Sequence, residues 1–175
     1  FGEGISVITG GNGSGKSTLL KVLLGTVPIK RGKITVNGID ITKWSALQRT
    51  KFFAAVHQDT MLGTCPNLSI RDNFLLTDSK RWWSPLLHRW TLTGKQKDSI
   101  RRTGLPLDSR GTAKINTLSG GQLQAIAVCL AFEKRRPILL LDEFSDAVNS
   151  YASQIRKLIK EKELENRILF FHASH

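Results

Sequence analysis

The run Gly10-Gly11-Asn12-Gly13-Ser14-Gly15-Lys16-Ser17-Thr18 has the spacing G-x-x-x-x-G-K-[ST] of a phosphate-cradling loop, the P-loop. Glycines allow backbone angles that a Cβ forbids and let a phosphate come close to the N–H groups. Lys16 is placed to reach β- and γ-phosphates, and the Ser17 hydroxyl to ligate Mg²⁺. Asp142-Glu143 closes the apolar run Ile138-Leu139-Leu140-Leu141. Two adjacent acids at the end of a buried strand are costly unless they have a partner. Asp142 fits an acid that holds Mg²⁺ through water, and Glu143 fits a base that orients a water toward the γ-phosphate. Ser119-Gly120-Gly121-Gln122 precedes a helical pattern, with Ser119 as N-cap and two glycines exposing N–H groups. That makes a second helix N-terminus suited to an anion. Taken by itself, Ser-Gly-Gly before a helix is the least specific of the three signals.

Each of these groups needs an element to hold it. Ile5, Val7 and Ile8 form a short apolar strand before the P-loop, and Leu19, Leu20, Val22, Leu23 and Leu24 follow at helical spacing. Lys33 to Val36 alternates, and Asn37-Gly38 predicts a two-residue hairpin turn within Gly32–Ile41. Ser45 to Arg49 reads as one or two helical turns. Phe52 to Val56 reads as a buried strand whose polar end, His57-Gln58-Asp59, opens onto a site, because ligands collect at strand ends in open α/β sheets. Thr60 to Pro66 is a loop, and Ser69 caps a helix with Asp72 in its first turn. Lys80 to Leu107 reads as mostly helical. Its Trp82, Trp83 and Trp90 are either core anchors or an exposed docking patch. Leu123, Ile126, Ala127, Leu130 and Ala131 form a helical stripe that Arg135-Arg136-Pro137 stops. Ser153 to Leu164 is a surface helix, and Ile168 to Phe171 a buried strand ending in His172-Ala173-Ser174-His175.

Composition narrows the class. With 175 residues, 40% hydrophobic and 23% charged, the chain suits one compact domain with a real core. No apolar run approaches a membrane span. Cys65 and Cys129 match no metal spacing and read as reduced thiols of a cytosolic protein. The net charge of +12 admits nucleic acid, an anionic membrane surface, an anionic ligand or simply a solvated basic surface. Basic residues thicken between Lys80 and Lys114, where a lipid headgroup, a protein loop or water are the alternatives. The chain opens almost on the P-loop strand and closes directly after a strand pattern, so a domain truncated at both ends is expected.

The order P-loop, Gln58 after a strand, Leu118-Ser119-Gly120-Gly121-Gln122, an apolar strand with Asp142-Glu143, and a histidine after the last strand resembles the ABC-type ATPase family over essentially the whole chain. The resemblance implies an α/β fold: a P-loop NTPase with a RecA-like, mostly parallel sheet, a small antiparallel hairpin part and an inserted α-helical subdomain. It implies one domain over 1–175, with 1–58 and 115–175 as catalytic core and about 59–114 as the helical subdomain. It implies ATP and Mg²⁺, bound head to tail between two such domains. Carried over by position, Gly10 to Thr18 would bind phosphates, and Ser17, Gln58 and Asp142 would serve the metal. Gln58 would also touch the water. Ser119, Gly120, Gly121 and Gln122 would meet the ATP of the partner domain, Ser119 and Gly121 at its γ-phosphate. Glu143 would be the base. His175 matches the switch histidine, with His172, earlier on the same strand, as its rival.

This sequence departs from the family pattern in three places. Asn149 stands where the Ser-Ala-Leu-Asp loop of the family ends in an acid, which puts communication between domains in question. Phe144 replaces a usual Pro, and the adenine-stacking aromatic falls in a segment upstream of the P-loop that this sequence lacks. The stretch Val56 to Asn73 is similar to a bacterial importer group for small organic solutes. The implied function is an ATPase subunit on the cytoplasmic face of a membrane. Its implied partners are a second copy, a permease and, in importers, a substrate-binding protein. The alternative is a soluble ABC ATPase acting on nucleic acid or the ribosome; the absence of sustained heptads from Gln58 to Leu118 opposes its coiled-coil DNA-repair and condensin-like versions, while the two-domain translation-factor version stays open. A catalytically dead regulatory domain is a third class, opposed by Lys16, Asp142 and Glu143.

Overall fold

The computed structural model describes residues 4–77, 91–142, 157–161 and 167–173. Their packing separates two units: one built from 1–58, 136–144 and 163–175, the other from 59–135 and 145–162.

The first unit carries a four-stranded parallel sheet. Its strands are β1 (Ile5–Gly10), β4 (Phe53–Val56), β5 (Ile138–Asp142) and β6 (Arg167–Ala173), in the order β1-β6-β5-β4. Parallel strands buried on both faces read as continuous apolar runs, and Ile138 to Leu141 are all buried. Helix α1 (Lys16–Leu24) follows β1 and buries Leu20 and Leu23. These two join Val36, Ile41, Phe53, Ile138 and Leu140 in one cluster, each fully buried Leu contributing about 1.5–3 kcal/mol. The predicted hairpin forms as β2 (Thr35–Val36) paired with β3 (Ile39–Asp40). Asn37 and Gly38 both take positive φ, 51° and 78°, the requirement of the tight turn that matches strand twist. Helix α2 (Ala46–Arg49) is short, and Ser45 and Gln48 cap it reciprocally.

The second unit is helical. A 3₁₀ turn, Thr60–Gly63, lies inside the predicted loop and is started by the Asp59 carboxylate, which accepts from Met61 N. Helix α3 (Ile70–Thr77) starts after Ser69, whose hydroxyl accepts from Asp72 N. Burial alone would raise the Asp72 pKa, but hydrogen bonds from Ser69 and Arg71 hold it below its ordinary value. Helix α4 (Gly94–Arg102) is capped by Thr93 and Gln96, and α5 (Gly120–Glu133) by Ser119 and Gln122. Every residue of α5 from Leu123 to Ala131 is buried, Gln124 and Cys129 included. The apolar stripe expected on one face is therefore a helix covered all round, because α3, α4 and the 3₁₀ turn pack on it. For the same reason α5 belongs to the second unit by its packing. Residues 157–161 are helical, with Leu158 and Ile159 buried, so the predicted surface helix turns one face inward. Trp82, Trp83 and Trp90 lie outside the described residues, as do Lys80, Arg81 and Arg89.

The two cysteines sit in contrasting places. Cys65 is exposed and Cys129 buried, its Sγ donating to the Ser99 carbonyl at 3.6 Å. Burial pushes the Cys129 thiol from 9.0 up to about 12; the Ser99 bond opposes the rise and the Glu133 charge adds to it. A thiol reagent is therefore expected to label Cys65 in the native protein and Cys129 only after unfolding, as read by peptide mass spectrometry. Below the unfolded value both states keep the proton; above it the unfolded chain loses the proton first. The Cys129 contribution to stability should thus fall as pH rises from about 9 toward 12, and Cys129→Ala should flatten that slope in urea titrations.

Candidate functional site

The parallel order of the sheet puts the C-terminal ends of all four strands on one edge. Gly10 ends β1 opposite Ala173, Asp142 ends β5 opposite Phe171, and Val56 ends β4 opposite Leu141. Residues set far apart in the chain thus meet at the edge where open α/β sheets bind ligands.

The loop after β1 is built for an anion. Gly13 and Gly15 have φ of 79° and 93°, angles a side chain rarely adopts, and open space lies where a Cβ would stand at Gly11, Gly13 and Gly15. At Gly10 a Cβ would come within 2.7 Å of Ser14 Oγ, so a larger residue there would make the Ser14 side chain shift. Gly15 is the N-cap of α1 and supplies no side-chain cap. The first-turn N–H groups of α1, at the positive end of its dipole, are left to a ligand. Lys16 is buried, and its Nζ donates to the carbonyls of Gly10 at 2.7 Å and Gly11 at 2.9 Å, and to Ser14 Oγ at 3.4 Å. Among the described residues no carboxylate pairs with it. An ammonium held by neutral oxygens beside an uncapped helix end, in a pocket of glycine, fits a polyphosphate. Ser17 and Thr18 follow in the first turn of α1 and are exposed. Asn12 and Ser14 lie on the exposed loop.

Asp142 is half-buried at the end of β5, and Gln58 is exposed just past β4. These two and the Ser17 hydroxyl each offer an oxygen, one of them a carboxylate; donors of that kind could hold Mg²⁺, a hard cation that takes its other ligands from water and substrate phosphates. Among the described residues no three of His, Cys, Asp and Glu gather as a denser metal site. Glu143, Phe144, Asn149 and His175 lie outside the described residues. His172 lies on β6 with its backbone opposite Thr9.

In the second unit, Ser119 begins α5 as its N-cap. Its hydroxyl accepts from Gln122 N at 3.4 Å, while Gln122 Oε1 accepts from Ser119 N at 3.0 Å. Gly120 and Gly121 open the helix between them. The reciprocal cap fixes this helix start without adding a negative side chain to it. Asn73 is a residue that the sequence pattern gave no reason to single out. It is buried; its Oδ1 accepts from Cys65 N at 2.7 Å and its Nδ2 donates to the carbonyls of Cys65 at 3.1 Å and Ser69 at 2.9 Å. One side chain thereby pins the loop 65–69 to α3.

Residues 2–146 match the family described as ABC transporter. The chain is 31% identical to the tyrosine transport ATP-binding protein of Clostridioides difficile (strain R20291), over 99% of this chain and 71% of that protein. It is 35% identical to the thiamine import ATP-binding protein ThiQ of Ruegeria sp. (strain TM1040), over 99% and 71%. Among solved structures, the ATP-binding cassette MJ0796 as a dimer in a post-hydrolysis state with ADP and Pi superposes with a TM-score of 0.73 at 24% identity, over 99% of this chain and 75% of that one. At that identity the likeness speaks for the fold.

Proposed function

The chain belongs to the ABC transporter family, and on that premise we propose that it binds and hydrolyses ATP between two copies arranged head to tail, driving a solute through a separate permease. The observation that carries this reading is the glycine cradle at the uncapped start of α1 with Lys16 buried beneath it. That cradle shares the C-terminal edge of the sheet with Asp142.

In this reading Gly10 to Thr18 hold the phosphates, and Lys16 draws charge from the β- and γ-positions. Ser17, Gln58 and Asp142 hold Mg²⁺, which when bound neutralises charge on those same oxygens. Glu143 orients the attacking water as base, and His175 supports the γ-phosphate, with His172 as the alternative. Ser119, Gly120, Gly121 and Gln122 of one copy meet the ATP of the other, adding N–H donors where charge spreads. Residues 1–175 act as one ABC ATPase domain, with 59–114 as the helical subdomain. The loop after Gln58 is the permease contact. Met61 and Leu62 are exposed there, and Leu76 flanks a cleft of about 250 Å³ that Thr64 and Leu130 also line.

Relatives that transport tyrosine and import thiamine support a small organic solute as cargo, import as direction and a substrate-binding protein as a further partner. They favour transport over the nucleic-acid reading, which rests on net charge alone. A site at the cytoplasmic face of the membrane follows from the permease partner. Among the described residues no helix is long and apolar enough to cross a membrane. The test is equilibrium binding of Mg-ATP by the full-length chain together with sedimentation velocity. Uptake of ATP with conversion of monomer to dimer is expected. A chain that neither takes up ATP nor changes its association state overturns the proposal.

A further inference from the structure

One buried charge plays no part in the chemistry above. Arg49, the last residue of α2, is 3% exposed, and among the described residues no carboxylate pairs with it. Its guanidinium donates to four backbone carbonyls instead. Nη1 reaches Val22 at 2.5 Å and Leu23 at 3.0 Å, Nη2 reaches Thr42 at 2.9 Å, and Nε reaches Trp44 at 3.1 Å. Burial lowers its pKa from the ordinary arginine value, which lies so high that the group stays charged at any physiological pH.

Val22 and Leu23 belong to the last turn of α1. Gly25 N donates to the Val22 carbonyl at 3.1 Å, so Arg49 adds a second, charged donor there; both carbonyls sit at the negative end of the helix dipole. The opposite end of the same helix is the phosphate cradle. Gly25 completes the arrangement. It has φ of 78°, and a Cβ there would lie 3.0 Å from Arg49 Cδ and 3.2 Å from Ala46 Cα. The left-handed φ favours glycine, and a Cβ there would also press on the arginine side chain and on α2.

We propose that Arg49 is a positioning residue for the phosphate cradle, tying the C-terminal end of α1 to the 42–44 loop and so fixing where its N-terminal end presents N–H groups to phosphate. A helix of this length is a stiff rod of about 13 Å, so slip at one end is slip at the other. A misplacement of about 1 Å at a reacting group can cost about 10²-fold in rate. The proposal rests on the ATP-binding reading of that cradle.

The test uses full-length protein at a temperature where circular dichroism shows every variant folded. Arg49→Met is expected to weaken Mg-ATP binding about tenfold or more and to speed hydrogen exchange in the first turn of α1. Arg49→Lys keeps the charge but loses the planar fork, so it should rescue only part of the affinity. Gly25→Ala, which crowds the arginine, should weaken binding in the wild-type background and by a smaller factor beside Arg49→Met. Ile100→Ala, buried in α4 of the other unit, supplies a destabilised control whose affinity stays unchanged. If Arg49→Met does not fold, the lysine and Gly25→Ala variants carry the same comparison. Arg49 or Gly25 variants with wild-type affinity and wild-type exchange at α1 overturn the proposal. A wild-type chain that fails to bind ATP overturns the reading beneath it instead, while exchange at α1 still reports on the positioning.

Discussion

Lys16→Met is expected to cut ATP turnover by about 10²–10³-fold or more, the range seen when one preorganised donor to a developing charge is removed. The structure gives two reasons for placing this among the largest effects. First, Lys16 is the sole cation in the run from Gly10 to Thr18, and it is buried beside an uncapped helix start. In such a place a charge is screened little, so its attraction for phosphate is far greater than at the surface. Second, its Nζ spans the Gly10 and Gly11 carbonyls and Ser14 Oγ, so it also holds the loop in its cradle shape. Methionine keeps most of the volume and loses both functions. Arginine keeps the charge but replaces a compact ammonium with a wider planar fork, so it is not an equivalent substitute. Phosphate release and equilibrium nucleotide binding on the same preparation check the result. Turnover within about a factor of two of wild type would remove Lys16 from the site.

Glu143→Gln is expected to leave ATP binding intact, to lower hydrolysis by about 10²–10⁴-fold, the usual contribution of a general base, and to trap the paired form. The buried run Ile138–Leu141 of β5 lies between β6 and β4 and ends in Asp142 at the edge that also carries the P-loop. Glu143 is the next residue in the sequence, the position where the family resemblance implies the base. Glutamine has nearly the same size and can still hydrogen-bond a water, but it accepts no proton at neutral pH. Binding and catalysis should therefore separate, which distinguishes this variant from Lys16→Met, where both fall. Single-turnover phosphate release and sedimentation with Mg-ATP report the two halves. Hydrolysis at the wild-type rate would show that the base has been misassigned.

The clearest sequence signals are those whose partners are near in the chain. Asn37-Gly38 specifies a hairpin because both residues must take positive φ, and both do. Ser119 specifies a helix start because its hydroxyl finds an N–H three residues on. The glycines and lysine of the P-loop carry their chemistry within a single turn. Even there one detail was hidden. Gln122, which the family resemblance implies as a nucleotide contact, closes the cap onto Ser119 with its side chain. Continuous apolar runs mark β4 and β5, whose residues are mostly buried and show no wet face as alternation, whereas β1 has no fully buried residue.

The amino-acid sequence by itself determined the family, the phosphate cradle, the acidic strand end and the α/β class, since each depends on residue types at fixed short spacings. Only the tertiary structure decided the strand order β1-β6-β5-β4, which sets Gly10 and Asp142 on a common edge, and the burial of α5 on all sides. It alone decided the role of Arg49, whose bonds to Val22 and Leu23 reach 27 and 26 positions along the chain. Its acceptors are backbone carbonyls, which every residue owns, so no residue type at that distance could have announced them. A side chain that recognises another side chain leaves a trace in both identities; one that recognises the main chain leaves a trace only in its own, and the fold must supply the rest.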